Sequence, residues 1–405
     1  MAEPSTTITG RPRLVAFAVV LSGAMVMATC VNAVVSVLAP LIVRDLGLDR
    51  AGVGLVVTVV AGGGAVLSLV AGSLADRLGG RRMVLGVYAA GAAALALVAV
   101  SRGLAGLVGA ALVCSLANGA ANPATNTLIA GRIPPGRRGI TTGIKQSGVY
   151  AGVLLWGVAL PPLAAVVGWR GAVWAALVVP VTLTLLLLAV VAPDPPSQGG
   201  WRAAPARFRA SPTVVWMTVY GLLMGMGAGA MMAFIPLYAE EAVGFSVQAA
   251  GLVAGSFGLL GVVARIVWAS ASEHLDDYAR PLGVLALLSA VATVLIVAAD
   301  PTRSWLLVVG ALLAGSTLTA WNAVVQLAVV VKADGGQTGR ASGLINAGFL
   351  GGLGLAPVVF GWAVDRWGSY DLAWSGVVVA LLVATATTVV WRRQETAARP
   401  RRGAG

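Results

Sequence analysis

Charged side chains are scarce in this chain of 405 residues: only 10% are aspartate, glutamate, lysine or arginine, whereas 58% are hydrophobic. A soluble globular protein of this size covers itself with polar surface, so the composition argues against that class. Histidine occurs once, at His274 in a predicted loop, and no acidic residue maps to the middle of an apolar run. Because acids, histidines and nucleophiles do not cluster, the sequence predicts no enzyme, no catalytic residue, no metal site and no cofactor.

Cysteine and phosphate-binding motifs are also scarce. The two cysteines, Cys30 and Cys114, both fall within apolar runs. Secreted domains held by disulfide bonds carry many more cysteines in short polar chains, so that class is disfavoured. No glycine-rich loop that ends in lysine followed by serine or threonine is present, which disfavours an ATP-driven pump.

Long apolar runs are what the sequence has in abundance. A run of ~17–25 residues can cross the ~30 Å hydrocarbon core of a bilayer as a helix, and a helix satisfies its own backbone hydrogen bonds there. We therefore predict an all-α membrane protein with twelve transmembrane helices. The predicted spans are 14–42, 51–74, 83–101, 104–130, 140–164, 171–192, 213–239, 248–271, 281–299, 304–331, 341–363 and 372–391.

The basic residues are distributed unequally between the two sides of the predicted membrane. With the N-terminus inside, the cytoplasmic segments hold nineteen arginines and lysines, and the opposite side holds six. This bias predicts a multi-pass protein of the cell membrane, plasma or inner, with both termini in the cytoplasm. Basic residues on the cytoplasmic side would contact the head groups of the lipid bilayer, and this accounts for the net charge of +12. We therefore expect no nucleic-acid partner.

The chain divides into two similar halves. Many polar and glycine positions recur at an offset of 200, for example Asn122 with Asn322 and Gly143 with Gly343. Two homologous six-helix bundles are typical of carriers that work by alternating access. The predicted domains are an N-terminal bundle at 1–192, a central cytoplasmic linker at 193–211, a C-terminal bundle at 212–391 and a cytoplasmic tail at 392–405. We expect a monomer.

The loop between the second and third predicted spans reads "GSLADRLGGRR". It resembles the signature of the major facilitator superfamily at the same loop, and the twelve-span layout extends this resemblance to the whole chain. The resemblance implies two pseudo-symmetric six-helix bundles and rocker-switch transport. The signature residues that we predict to form a conformational latch are Gly72, Asp76, Arg77, Gly79, Arg81 and Arg82.

The resemblance also indicates what the acidic residue of this loop contacts. It implies that Asp76 meets the start of the eleventh span, near residues 339–343, where a carboxylate is stabilised by the positive end of the helix dipole. By pseudo-symmetry, Glu273 would meet the start of the fifth span, near residues 139–143. We expect both contacts to hold the cytoplasmic side closed and to break when that side opens.

Two cations, Lys145 and Arg265, fall within apolar spans, at ~8 Å and ~12 Å from the predicted cytoplasmic ends of their helices. A cation at membrane depth is costly and normally paired, and the spans offer no carboxylate. An anionic substrate would supply one. Arg265, with Glu273 eight residues later, resembles the eighth helix of oxalate–formate exchangers and monocarboxylate carriers, which implies that Arg265 binds a substrate carboxylate.

For both cations an alternative stays open: they extend to the interface or bond to carbonyls at helix ends. The resemblance implies that the fifth and eighth spans meet where the halves join. We therefore expect Lys145 and Arg265 to face a shared cavity, and we expect uncharged polar side chains to line it with them. These further substrate-binding candidates are Asn122, Asn126, Gln146, Trp321, Asn322, Gln326 and Asn346. The amides could equally join helix to helix within one half.

Charges at the predicted outer ends of the first and seventh spans suggest a gate. Arg44 occupies a position equivalent to Glu240 and Glu241 in the other half, and the signs are opposite. Pairs of this kind contribute ~0–1 kcal/mol when exposed, which suits a contact that must reopen. Unpaired, solvated loop charges are the other interpretation.

Taken with the resemblance, these features predict a secondary active transporter of a small organic solute. The two cations, for which the spans offer no carboxylate, favour an organic anion, moved by exchange or together with protons. The alternative is a proton-linked efflux transporter of drugs or metabolites, with coupling through boundary acids such as Asp45 or Asp76. Drug exporters of the superfamily usually carry an arginine in the fourth helix and a proline among the glycines of the fifth. Residues 104–130 contain no arginine, and residues 143–157 contain no proline.

Overall fold

The structure is a computed structural model, and it describes residues 11–48, 50–194, 210–275, 277–332 and 337–398. Most of the predicted linker (195–209) and the end of the predicted tail (399–405) lie outside these residues. Nearly all of the described residues are helical, and no strand occurs among them. The helices are α1 (Arg11–Ala28), α2 (Cys30–Val37), α3 (Ala39–Leu46), α4 (Arg50–Leu78), α5 (Gly80–Val100), α6 (Leu104–Arg132), α7 (Arg138–Ala176), α8 (Val178–Val190), α9 (Pro212–Glu241), α10 (Val247–Ser272), α11 (Ala279–Val297), α12 (Trp305–Thr317), α13 (Trp321–Lys332), α14 (Thr338–Trp367) and α15 (Tyr370–Ala398).

The helices occupy all twelve predicted positions. In the described part of the chain, nine helical stretches are long and apolar enough to cross a membrane, and the pair α1–α2, bent by 61°, makes a tenth. The stretch Arg138–Val190 is bent at Gly168, whose φ of 73° and ψ of 164° are not helical, so it holds the predicted fifth and sixth spans. The predicted eighth span coincides with α10, in which Gly258–Ser272 is a shorter apolar segment. The structure is therefore consistent with the predicted count.

Two of the predicted spans are interrupted helices. The first comprises α1, α2 and the start of α3, with breaks at Thr29 and Leu38. The tenth consists of α12 and α13, and residues 318–320 between them are not helical. A broken helix leaves backbone carbonyls without their usual donors, so polar side chains of neighbouring helices can bond to them.

The chain forms two compact units. Unit 1 comprises Met1–Arg209 and Val329–Ala347, and unit 2 comprises Ala210–Ala328 and Gly348–Gly405. Chain order assigned residues 329–347 to the C-terminal bundle, whereas their contacts assign them to unit 1. The reason is local: the first turns of α14 pack closely on α4 and α6, as described below.

Each unit has its own apolar core. In unit 1 the core is built from α1 and α2, α4 to α8 and the end of α13, and Tyr88 donates a 2.6 Å hydrogen bond to the carbonyl of Val20 inside it. In unit 2, Trp321 packs edge-on against Tyr220 and Phe349, with ring centroids 5.7 and 5.3 Å away. The last helix continues to Ala398, beyond the predicted end of the twelfth span at residue 391.

Candidate functional site

A buried lysine lies at the centre of a polar cluster in unit 1. Lys145 is 0% exposed, although a lysine side chain carries an ammonium group in water. Its Nζ donates to the side-chain oxygens of Asn122, at 3.1 Å, and Asn126, at 2.7 Å. Gln146 donates from Nε2 to the same oxygen of Asn122, at 3.0 Å. Lysine and glutamine on α7 are therefore bound to two asparagines that lie one turn apart on α6.

Asn122 and Asn126 also donate hydrogen bonds to α14 from their side-chain NH₂ groups. Asn122 Nδ2 donates to Oδ1 of Asn346 at 3.0 Å, and Asn126 Nδ2 donates to Oγ of Ser342 at 2.9 Å. Ser342 and Asn346 lie four residues apart, on one face of α14. We call these six residues the amide cluster; its members are Asn122, Asn126, Lys145, Gln146, Ser342 and Asn346. All six are at least nine-tenths buried.

Sequence spacing placed Asn118, Asn122 and Asn126 on one face of α6, and the structure separates their roles. Asn118 donates from Nδ2 to the carbonyl of Ala28, at 3.0 Å, and so bonds to the end of α1. Asn122 and Asn126 join α6 to α7 and to α14. In this structure the candidates on α6 therefore link helices, and two of them bond to α14 of the other half. Their role in substrate binding stays a prediction.

The carboxylate of Asp76 caps the start of α14. Its Oδ1 accepts from the backbone N–H of Gly339 at 2.6 Å, and its Oδ2 accepts from that of Arg340 at 3.0 Å. The first N–H groups of a helix have no partner within the helix, so a carboxylate there satisfies them and interacts favourably with the dipole. This is the contact that the sequence predicted for Asp76. Its opening and closing as a latch stays a prediction.

Glycines allow α4 and α14 to touch backbone to backbone. A Cβ atom added at Gly72 would lie 2.5 Å from the carbonyl oxygen of Gly339 and 3.0 Å from Cα of Arg340. A Cβ added at Gly343 would meet the carbonyl oxygen of Ser68 and would lie 3.1 Å from Cα of Gly72. We call the contact of residues 339–346 with α4 and α6 the α14 seam. It includes the cap by Asp76 and the two hydrogen bonds from α6.

The rest of the signature loop is held by an acid that sequence reasoning missed. Asp194, just after α8, accepts from the backbone N–H of Arg81 at 2.9 Å and pairs with the guanidinium of Arg132 at 3.0 Å. Gly79 has a φ of 85°, and a Cβ atom there would collide with the Asp194 side chain. Arg77 and Arg82 are exposed. Nothing in the sequence linked Asp194 to this loop, because the partners lie 62 and 113 residues away.

We expect Asp194→Ala to destabilise unit 1 by about 1–3 kcal/mol, because it leaves the Arg132 guanidinium buried without its carboxylate. The side chains of the pair are 6% and 12% exposed. The matched control is Asp277→Ala, since Asp277 pairs with Arg392 at 2.7 Å but the two side chains are 28% and 54% exposed. Thermal unfolding of the purified protein should show a clear decrease in Tm for Asp194→Ala and a smaller one for Asp277→Ala, which loses an exposed ion pair and the hydrogen bond that Asp277 accepts from the N–H of Ala279. Equal shifts would contradict the assignment.

Arg265, the other membrane cation, lies in unit 2. It is 8% exposed, and its Nε donates to the carbonyl oxygen of Thr319 at 2.9 Å. Thr319 belongs to the break between α12 and α13, so the arginine bonds to a carbonyl that the broken helix leaves free. This contact corresponds to the alternative in which the cation bonds to helix-end carbonyls. Lys145 and Arg265 belong to different units, and a shared cavity stays a prediction.

The remaining candidates in unit 2 are also buried. Trp321 is 1% exposed within its aromatic contacts, Asn322 is 6% exposed and Gln326 is 0% exposed. Glu273, the predicted second latch residue, directly follows α10 and is partly exposed. Its contact with the start of the fifth span stays a prediction.

The predicted outer gate also stays a prediction, and its neighbourhood contains contacts that the sequence did not reveal. Arg44 and Glu240 are exposed, and Glu241 accepts a 2.7 Å hydrogen bond from Tyr370 within unit 2. In unit 1, Arg170 donates both to the Asp45 carboxylate and to the carbonyl of Ser101. These hydrogen bonds join α3 and the end of α5 to α7.

Asp45 is consequently held in its ionised form. The hydrogen bond from Arg170, with a smaller contribution from the indole N–H of Trp169, lowers the pKa of the Asp45 carboxyl below its ordinary value. The Arg170 guanidinium also lies 4.3 Å from the centre of the Trp169 ring. A carboxyl with a lowered pKa does not exchange protons near neutral pH, so Asp45 is a poor carrier for proton coupling.

Comparison with known proteins agrees with this architecture. The model of the Major Facilitator Superfamily matches residues 20–332 and 241–405. The chain is 30% identical to a gallate transporter of Pseudomonas putida, over 72% of this chain and 73% of the relative. It is 26% identical to the probable sulfoacetate transporter SauU of Cupriavidus necator, over 84% of each chain. Among solved structures, the human organic anion transporter MFSD10 shares the fold, with a TM-score of 0.76 at 17% identity over 94% of this chain and 100% of that chain.

A family match over most of the chain, together with curated relatives that are transporters, identifies the class of protein. Its apolar helices make it a multi-pass membrane protein, and its relatives move small molecules across membranes. The chain belongs to the Major Facilitator Superfamily and is a membrane transporter of small solutes, not an enzyme.

Proposed function

We propose that the protein is a secondary active transporter that moves a small organic anion by alternating access, either by exchange or together with protons. The observation that carries this proposal is the environment of Lys145. Its ammonium group is wholly buried, and its hydrogen bonds among the described residues go to the neutral oxygens of Asn122 and Asn126. A buried charge without an opposite charge is costly, and a substrate carboxylate or sulfonate would offset that cost.

The names of two relatives support an anionic substrate. One is a gallate transporter and the other a probable sulfoacetate transporter. Gallate carries a carboxylate, and sulfoacetate carries a carboxylate and a sulfonate. Arg265 is the second candidate for binding such a group, because it is buried and a guanidinium can engage two anionic oxygens at once.

We further propose that the protein resides as a monomer in the plasma or inner membrane with both termini in the cytoplasm. The excess of arginine in alternate loops supports this orientation, because basic loops are retained on the cytoplasmic side.

The alternative, proton-linked efflux of drugs or metabolites, requires an acid that takes up and releases protons. Asp76, one of the two boundary acids that the sequence offered, accepts two backbone hydrogen bonds at the start of α14. The other, Asp45, is bound by the Arg170 guanidinium, which favours its ionised form. The contact of Asp45 favours the anion transporter over the exporter.

Transport by the purified protein in proteoliposomes would test the proposal. We expect uptake of labelled gallate, benzoate or sulfoacetate that is driven by an opposing anion gradient or by an inward proton gradient. We expect no transport of a lipophilic cation such as ethidium. Empty liposomes and liposomes that contain heat-denatured protein are the controls. Export of ethidium without uptake of any of the three anions would overturn the proposal in favour of the efflux transporter.

A further inference from the structure

The hydrogen bonds of the amide cluster have a direction. An asparagine side chain has one end that accepts hydrogen bonds and one that donates them. For both Asn122 and Asn126 the oxygen end points to the ammonium of Lys145, and the NH₂ end points to α14. A lysine ammonium can only donate, so it fixes which end of each amide faces α7 and which end is left for α14.

The acceptors on α14 match this orientation. Asn346 offers its Oδ1 to Asn122, and Ser342 offers its Oγ to Asn126, at 3.0 and 2.9 Å. If the Asn122 amide turned over, its oxygen would face the oxygen of Asn346, and the hydrogen bond would be lost unless the Asn346 amide turned over as well. The direction of the two bonds between α6 and α14 is therefore set by the donors on α7, which are the ammonium of Lys145 at both asparagines and Nε2 of Gln146 at Asn122.

We infer that Lys145 is a positioning residue: its positive charge orients the amides of Asn122 and Asn126 and thereby holds the α14 seam together. The inference extends to substrate, and in this part it rests on the proposed function. An anion that pairs with the ammonium offsets the charge that orients both amides, so its arrival loosens the bonds from α6 to α14. Lys145 would in this way convert the binding of an anion into release of the start of α14.

The start of α14 contains a natural reporter of this event. The backbone N–H groups of Gly339 and Arg340 are bonded to Asp76 across the seam, not to carbonyls of their own helix. When the seam opens, these two amides lose their acceptor and exchange hydrogen with water. Hydrogen–deuterium exchange of peptides that cover residues 338–347 therefore measures the seam in the intact protein, without labels and without transport.

The first variant for this experiment is Asn126→Leu. Leucine is close to asparagine in size but offers no N–H to Ser342 and no oxygen to its hydroxyl, so the bond to α14 is lost. We expect exchange at 338–347 to become roughly tenfold faster, the change that loss of one or two buried hydrogen bonds produces. The matched control is Asn118→Leu, the same change on the same helix, because Asn118 donates to Ala28 and not to α14. It should leave exchange at 338–347 unchanged.

The second variant tests the charge itself. Lys145→Met keeps the length of the side chain and removes the ammonium, and we expect the same faster exchange at 338–347. Lys145→Arg retains the charge and should restore the slow exchange. Unchanged exchange in both Asn126→Leu and Lys145→Met, in protein whose α5 and α11 peptides remain protected, would overturn the inference.

Anion binding is tested on the wild-type protein with gallate as the probe. We expect gallate to accelerate exchange at 338–347 in the wild type and to have no effect in Lys145→Met, a difference that a merely structural lysine would not produce. Exchange that gallate does not change in a protein that transports gallate would overturn the coupling to substrate. The exchange measurements on the variants need no substrate. They can therefore contradict the positioning role of Lys145 without contradicting the proposed transport of an anion, and transport assays can do the reverse.

Discussion

Replacing Lys145 with methionine is expected to reduce the kcat/KM of organic anion uptake by about 10- to 100-fold. A hydrogen bond between charged groups contributes about 1.5–3 kcal/mol, and methionine of nearly equal length offers an anion neither charge nor donor. Lys145 is wholly buried, so no water would take the place of the lost ammonium. Initial rates of gallate or sulfoacetate uptake into proteoliposomes, at several substrate concentrations, would measure the effect.

The chain supplies a matched control for this variant. Lys332, the only other lysine, ends α13 and is partly exposed. Lys332→Met makes the same chemical change outside the amide cluster and should leave uptake within about twofold of the wild type, as expected for a partly exposed charge. The increase in Tm that an anion produces by binding the folded protein should persist in Lys332→Met and disappear in Lys145→Met. Normal uptake and a normal increase in Tm in Lys145→Met would refute the role of Lys145 in substrate binding.

Much of the fold could be predicted because it follows from properties that the sequence carries locally. A helix that crosses lipid needs a long apolar run, and the runs coincide with the helices of the structure at all twelve positions. The breaks inside spans were harder to see. Residues 318–320 read "LTA", without proline or glycine, yet they separate α12 from α13 and expose the carbonyl that Arg265 binds. Such a break depends on what neighbouring helices offer the backbone, which local sequence does not record.

The candidate site was predictable in its residues but not in its partners. Spacing of four placed Asn118, Asn122 and Asn126 on one face of α6, and the scarcity of charge singled out Lys145. Neither signal says which helix that face meets. In the structure Asn118 bonds to the end of α1, whereas Asn122 and Asn126 bond to α7 and α14. The partners are up to 224 residues away in the sequence. Asp194 and Arg170 were missed for the same reason, since a charged residue at a span end looks the same whether it is solvated or bonded to a distant loop.

Substitution of Gly343 by valine is expected to abolish transport, with a loss of more than tenfold in the rate of anion uptake. The Cβ of any residue at this position would meet the carbonyl oxygen of Ser68 and would lie 3.1 Å from Cα of Gly72. Both are backbone atoms of α4, so no flexible side chain can move aside. Overpacking of this kind costs about 1–3 kcal/mol. Helix α14 would be forced away from α4, and the cap by Asp76 and the bonds from Asn122 and Asn126 would all be weakened.

Gly354 provides the control for this prediction, because it lies on the same helix and no described atom comes within 4 Å of a Cβ added there. Gly354→Val should leave uptake and hydrogen exchange of residues 338–347 as in the wild type. A transporter of this superfamily must form and break its closing contacts once in every cycle, so a variant that cannot form the α14 seam should bind anion yet fail to turn over. If Gly343→Val transported at the wild-type rate while its residues 338–347 exchanged faster, the seam would be a structural contact that the transport cycle does not require.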